Sequence, residues 1–495
     1  MKTAVIRGVP LAMQRDGWWM DGVKPRTRKP VKSMDSDMGK LLVLLALIAF
    51  GDAMIWHVWP GLSLAVFALA VIGACLLFAP NLSRSRLQIC LIGAALSVLP
   101  VIEVVQPLSV FFLLAGGLVV LCGIAGVNHQ SLLRSFLRYP WIAIAFSFRD
   151  GLNLTSQLRI PNMNIRELVM GWAIPLGLGL VFLLLFGTAN PLIADFLEQI
   201  SLTQVPEPNM MRLIFWGVLA FVIWGALIAP RLRNALMARK PQRHTVHRPG
   251  LINTRSLGRS MVLFNLMFAV QTFMDFAFLY GATELPEGVT YATYAHRGAY
   301  PLLITALLAG AFAVLARPLT DDTSLLRKLL ILWLIQNIML VGASVTRLDL
   351  YIDVYGLTRL RLAAGIWMAV VLLGLLLVLW QVYKGHKTSW LLMRNASLGL
   401  GTLYVCCFIN FDGVIAQHNF TTFGKQDLNY LCSLSEGVLP ELDRQGVNVE
   451  YSCPEWRRPE MSQPKDWREW GFRNWRLRRS LAQSEVKDVY HDPYH

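Results

Sequence analysis

Between residues 41 and 415 the chain is a succession of apolar blocks, and no other feature constrains its fold as strongly. The blocks lie at about 41–57, 61–79, 87–105, 107–126, 168–189, 211–229, 260–281, 299–316, 329–346, 362–383 and 396–415. Each is long enough, at 1.5 Å per residue, to cross roughly 30 Å of hydrocarbon as a helix. A helix is the natural way for such a segment to satisfy its own backbone in lipid. The expected fold is therefore all-α: a polytopic transmembrane helix bundle of about eleven spans, occupying residues 39–415. A soluble chain of 495 residues would carry about 25% charged residues, whereas this one has 16%, with 55% hydrophobic residues and a mean hydropathy of +0.47.

The connections predict an orientation. With the N-terminus inside, the inner connections 80–86, 127–167, 230–259, 317–328 and 384–394 hold 21 Lys and Arg. The outer connections hold five, namely Arg212, Arg297, Arg347, Arg359 and Arg361. Basic residues retained on the cytoplasmic side produce this asymmetry. The expectation is a bacterial cytoplasmic (inner) membrane protein with its N-terminus inside and its C-terminus outside. Residues 1–38 are polar and basic, without the leading apolar core of a secretory signal, and read as a disordered cytoplasmic tail. The stretch Tyr139–Phe148 is apolar but too short to cross, so it reads as interfacial or re-entrant. Residues 416–495, with 11 basic and 12 acidic side chains, read as a small, mainly helical extracytoplasmic domain.

A formal charge of +15 does not point to nucleic acid, because the cations lie in loops that orient spans and form no basic stripe in a soluble module. No metal cage, P-loop or nucleophile motif occurs, so no cofactor, metal or catalytic residue is assigned, and the balance is against an enzyme. Five of the seven cysteines lie in apolar blocks, where cysteine behaves as a small hydrophobe. Cys432 and Cys453 lie in polar sequence. In an oxidising compartment a bridge between them would contribute about 3 kcal/mol; the sequence leaves bridged and free states open.

Ionisable groups within spans are rare and costly, which makes them candidates for function. Asp52, Glu103, Asp275 and Asp412 all fall near outer helix ends, and Glu103 is close enough to the boundary to be solvated. Asp275 lies deeper, about 9 Å from the end of its span, with Gln271 one turn away on the same face. The outer connections bring His296, Arg297, Arg347 and Asp349, and the last span closes on Asn410 and Asp412. Two readings stand. In one, these residues line a water-accessible polar cleft; in the other, they are ion pairs fastening loops, with Asp275 bonded to Arg297 or Arg347.

The C-terminal region predicts helices near 426–434 and 436–445. At 466–481, Trp467, Trp470 and Trp475 alternate with arginines, which suits a helix on anionic lipid headgroups, on a protein partner, or packed on its own domain.

Four stretches carry a family resemblance: LPEGVTYATYAHRGAYPLLITALLAG (285–310), TRLDLYIDVYGLTRLRLAAGIWM (346–368), FINFDGVIAQHN (408–419) and DLNYLCSLSEGVLPEL (427–442). They resemble bacterial multi-pass membrane proteins of the domain-of-unknown-function families four-one-five-three and four-one-seven-three, chiefly from residue 260 onward. The resemblance implies a bacterial cytoplasmic-membrane protein and brings no activity with it. Two functional classes remain. One is a sensor or assembly protein acting through its outer domain; the other is a transporter or permease with an outward-facing polar cleft. Against transport, no pair of spans is interrupted at matching positions and no inverted repeat stands out.

Overall fold

The computed structural model describes residues 34–79, 82–128, 131–157, 207–238, 254–279, 305, 307, 308, 310, 312, 324–422, 427–461 and 463–491. Among these residues every regular element is helical. Seven helices are long and apolar enough to cross a membrane, and an eighth candidate is a bent pair. With the shorter apolar helix Leu62–Leu77, these match nine of the eleven apolar blocks. Block 168–189, and all but five residues of block 299–316, lie outside the described residues.

The chain divides into two compact units. The first comprises residues 1–52, 74–78 and 144–228. It holds most of helix α1 (Met34–Ile55), the end of α2 (Leu62–Leu77), part of α5 (Leu132–Gln157) and α6 (Glu207–Leu227). Here Asp52 accepts hydrogen bonds from Arg212 Nε at 2.9 Å and Trp216 Nε1 at 2.9 Å, and Asp150 accepts one from Trp224 Nε1 at 3.2 Å. α1 begins at Met34, inside the stretch expected to be disordered. Tyr139–Phe148 forms no re-entrant loop; it lies within the continuous 26-residue α5, whose own helical hydrogen bonds carry the backbone through Pro140.

The second unit comprises residues 53–73, 79–143 and 229–495. In it α3 (Arg84–Glu103) packs on α4 (Pro107–Ile124). Ser83 caps α3 by accepting from Arg86 N–H at 3.4 Å, and Pro107 opens α4, where its missing N–H costs nothing. The helices approach closely enough that a Cβ on Gly116 would collide with Ser97. The short α7 (Arg233–Met237) accepts from the Ser135 hydroxyl at its Leu236 carbonyl, and a second group comprises α8 (Thr254–Leu279), α9 (Ser324–Tyr355), α10 (Arg359–Lys384) and α11 (Thr388–Cys406). Its core joins Leu257 and Met261 to Leu330 and Leu334, and these to Val371, Leu375 and Leu391. Trp333 sits among Phe264, Phe268 and Phe312. Outward-facing large apolar side chains such as Leu266, Met267 and Phe273 remain uncovered, as lipid-facing helices require.

Two segments differ from the sequence reading. α9 does not end at residue 346 but continues to Tyr355, so Arg347 and Asp349 are helical and not in a loop. The last block is not one straight span. α11 ends at Cys406, and α12 (Phe411–Thr422) turns away by 75°. Asn410 starts this new helix by accepting from Gly413 N–H at 3.3 Å, an N-cap arrangement. α12 also runs across residue 416, where the sequence reading begins the C-terminal domain. Then follow α13 (Leu428–Cys432), α14 (Leu439–Arg444), α15 (Val449–Ser452) and α16 (Phe472–His491). Leu357, Ile415, Leu431, Leu434, Val438 and Leu442 form a small core beneath them. A disulfide joins Cys432 to Cys453 across a Cα–Cα distance of 5.6 Å.

Candidate functional site at the C-terminal end of the bundle

Within the second unit, Glu103, Asp275 and Asp412 each have their own arginine partners. Asp275 on α8 is an internal residue, ion-paired with Arg347 of α9, and both side chains are almost fully inaccessible at 3% and 2%. Gln271 Nε2 donates to Asp275 Oδ1 at 2.7 Å. The pair joins two neighbouring helices near corresponding ends, which brings charge into an apolar layer in neutralised form. Asp349 is exposed on the last turns of α9. His296 and Arg297 lie outside the described residues.

Asp412 belongs to a different cluster. Placed in the first turn of α12, it receives Arg359 in fork geometry, Nε to Oδ1 at 2.7 Å and Nη2 to Oδ2 at 2.5 Å. It also accepts from Ser435 N–H at 3.0 Å and from the Ser435 hydroxyl. Asn410 donates from Nδ2 to the Gly437 carbonyl at 2.7 Å. Gly437 leaves room for this contact, since a Cβ there would displace the Asn410 amide. The α9–α10 turn uses the left-handed Gly356 (φ 76°). Asn419 brackets the next residue, accepting from Leu357 N–H at 2.7 Å and donating to its carbonyl at 3.0 Å. Arg361 closes the turn by stacking over Tyr351 and donating to the Tyr355 and Gly356 carbonyls.

Glu103, expected at a solvated boundary, is buried. Its Oε1 accepts from Arg473 Nε at 3.2 Å and Arg476 Nη2 at 3.0 Å, and Arg473 also donates to the Cys407 carbonyl at 2.7 Å. One face of the tryptophan–arginine helix is thus spent on the bundle itself. Just before it, Arg468 holds Asp466 and reaches the Ala53 carbonyl, while the Leu62 N–H donates to the Trp470 carbonyl at 2.8 Å. The Arg468 hydrogen bonds hold the Asp466 carboxyl below its usual pKa. No local sequence signal marks Glu103 as buried, because its partners lie 370 and 373 residues away.

A groove of about 800 Å³ opens beside these contacts. Its walls come from the start of α10, the second half of α11 and the start of α4, and Asn410, Asp412, Ser435 and Arg473 stand at its rim. Of the described residues expected in a cleft, only Asn410 and Asp412 line it. Among the described residues no cluster of three or more His, Cys, Asp or Glu is arranged to hold a metal.

The family model described as "Domain of unknown function (DUF4153)" matches residues 63–445. The chain belongs to the DUF4153 family. The match reaches much further toward the N-terminus than the four resembling stretches, and it stops before the Cys453 partner of the disulfide and before α16. No curated protein and no solved structure matches the chain. The Asp412 cluster lies within the matched region, and residues 446–495 are attached to that region through Glu103 and to the residues before it through Ala53 and Leu62.

Proposed function

We propose that this DUF4153 protein is a sensor or assembly protein of the bacterial cytoplasmic membrane, whose bundle is the mount for a recognition domain formed by residues 416–495. In this reading the N-terminus is cytoplasmic and the C-terminal domain faces the outside. The single observation that carries it is the side chains this region leaves uncovered. Tyr451 is 88% exposed and Trp456 is 76% exposed, the Arg457 guanidinium lies 4.3 Å from the Trp456 ring, and the Cys432–Cys453 bridge fixes the segment between them. Rigid Trp, Tyr and Arg at an exposed position are the side chains that dominate protein–protein binding energies. A disulfide also fits an oxidising compartment, in agreement with the outward orientation.

The test is genetic and biochemical. Tyr451→Ser/Trp456→Ser should reach the membrane in normal amount and fail to correct whatever defect follows loss of the protein. Full correction by that variant would refute the recognition role.

One feature favours the second reading, a transporter. The break between α11 and α12 lies beside the groove, and interrupted helices are common at transport sites. A solute route would make the defect follow substitutions in the groove wall and leave Tyr451 and Trp456 dispensable.

A further inference from the structure

We infer that the groove beside the Asp412 cluster is a binding site for one anionic phospholipid of the surrounding bilayer. The site is independent of whether the C-terminal region engages a partner.

The dimensions point to a lipid tail. On α10 the lining runs from Arg359 to Val370, eleven helical steps, or roughly 16 Å at the helical rise. That is about half of a hydrocarbon core near 30 Å thick, the depth of one leaflet. Along this length the wall is apolar: Leu362, Ile366, Trp367 and Val370 on one side, Leu403 and Cys406 on the other. Both α10 and α11 belong to span candidates, so the groove opens where bilayer lipid is the most abundant solute. Its volume also lies within the roughly 300–1,000 Å³ typical of ligand sites.

The polar groups point to the head. Two guanidiniums, Arg359 and Arg473, and one carboxylate, Asp412, are the charged groups of the lining. Asp412 is occupied by Arg359 and Ser435. Arg359 uses Nε and Nη2 on Asp412, and Arg473 uses Nε on Glu103 and Nη2 on Cys407. Each therefore retains its Nη1 donors at the mouth. Paired guanidinium donors above an apolar slot suit a phosphate diester whose acyl chain descends into the wall. A zwitterionic lipid would bring a second cation to a rim that already carries an excess of positive charge.

Native mass spectrometry of the full-length protein, with phosphatidylglycerol, phosphatidylcholine and inorganic phosphate as probes, tests the inference. The wild type should retain phosphatidylglycerol about tenfold better than phosphatidylcholine, whose choline cation would be brought against the Arg359 and Arg473 guanidiniums. Gly399→Leu places a side chain in the groove wall, where a Cβ meets no atom within 4 Å, and leucine suits a helix. This variant should fold normally and lose the phosphatidylglycerol adduct. Arg473→Gln should lower retention while Arg476 continues to neutralise Glu103. Unchanged phosphatidylglycerol binding in folded Gly399→Leu would overturn the site. Equal retention of the two lipids would overturn the choice of an anionic head. Displacement by millimolar inorganic phosphate alone would overturn the lipid as ligand.

Discussion

A carboxylate and a guanidinium that are both sealed from solvent are held by each other. For Asp275 and Arg347 each charge offsets desolvation of the other, and Gln271 adds a hydrogen bond to the carboxylate. Asp275→Asn should therefore lower stability by about 3–5 kcal/mol, because it takes a neutralising charge away from the buried Arg347. The double variant Asp275→Leu/Arg347→Met should recover most of that loss, since apolar side chains of similar size fill such a site without a solvation cost. Denaturation of the purified protein in detergent reads both effects. If the single variant were as stable as the wild type, the pair would not be a structural fastening.

At the scale of elements, the attachment of residues 463–481 depends on a close backbone approach. A Cβ on Gly61 would stand 2.7 Å from the Arg468 carbonyl oxygen and against the Glu469 backbone, and a backbone cannot rotate aside as a side chain can. Gly61→Ala should weaken the contact by about 1–3 kcal/mol. Trypsin should then cut faster at Arg468 and Arg473, while cleavage in the α8–α11 layer stays the same. Equal cleavage rates would show that the contact contributes little.

The same elements show what the sequence could reveal. Apolar blocks mark spans because lipid imposes the same requirement on every segment, independently of tertiary partners. The continuation of α9 through Arg347, Asp349 and Asp353 was hidden because charge reads as loop. Its neutralising partner Asp275 is 72 residues away, although the sequence did offer that pairing as one of two. The end of α11 had a local signal, since Asn410 followed by an acidic first turn at Asp412 is a helix-start pattern; the surrounding hydrophobicity masked it. Glu103 had none. The groove was illegible as well, because it is a space left between helices and belongs to no single segment.

For the whole molecule, the proposed orientation makes a simple prediction. A reporter active only outside the cytoplasm should work when fused after His495 and fail when fused at Arg243, and a cytoplasmic reporter should give the reverse. Cytoplasmic activity at both positions would break the eleven-span count and leave the recognition domain facing the wrong compartment. A last consequence concerns time. The α9–α10 turn is bracketed by Asn419, 62 residues later in the chain, and Arg359 finds its carboxylate 53 residues later. At roughly 5–20 residues per second of translation, the ribosome needs several seconds to deliver them. During that interval the hairpin stands in the membrane with an unsupported turn and a cation awaiting its counter-charge. A chain stalled or truncated before residue 412 therefore carries a built-in mark of incompleteness that membrane proteases can read.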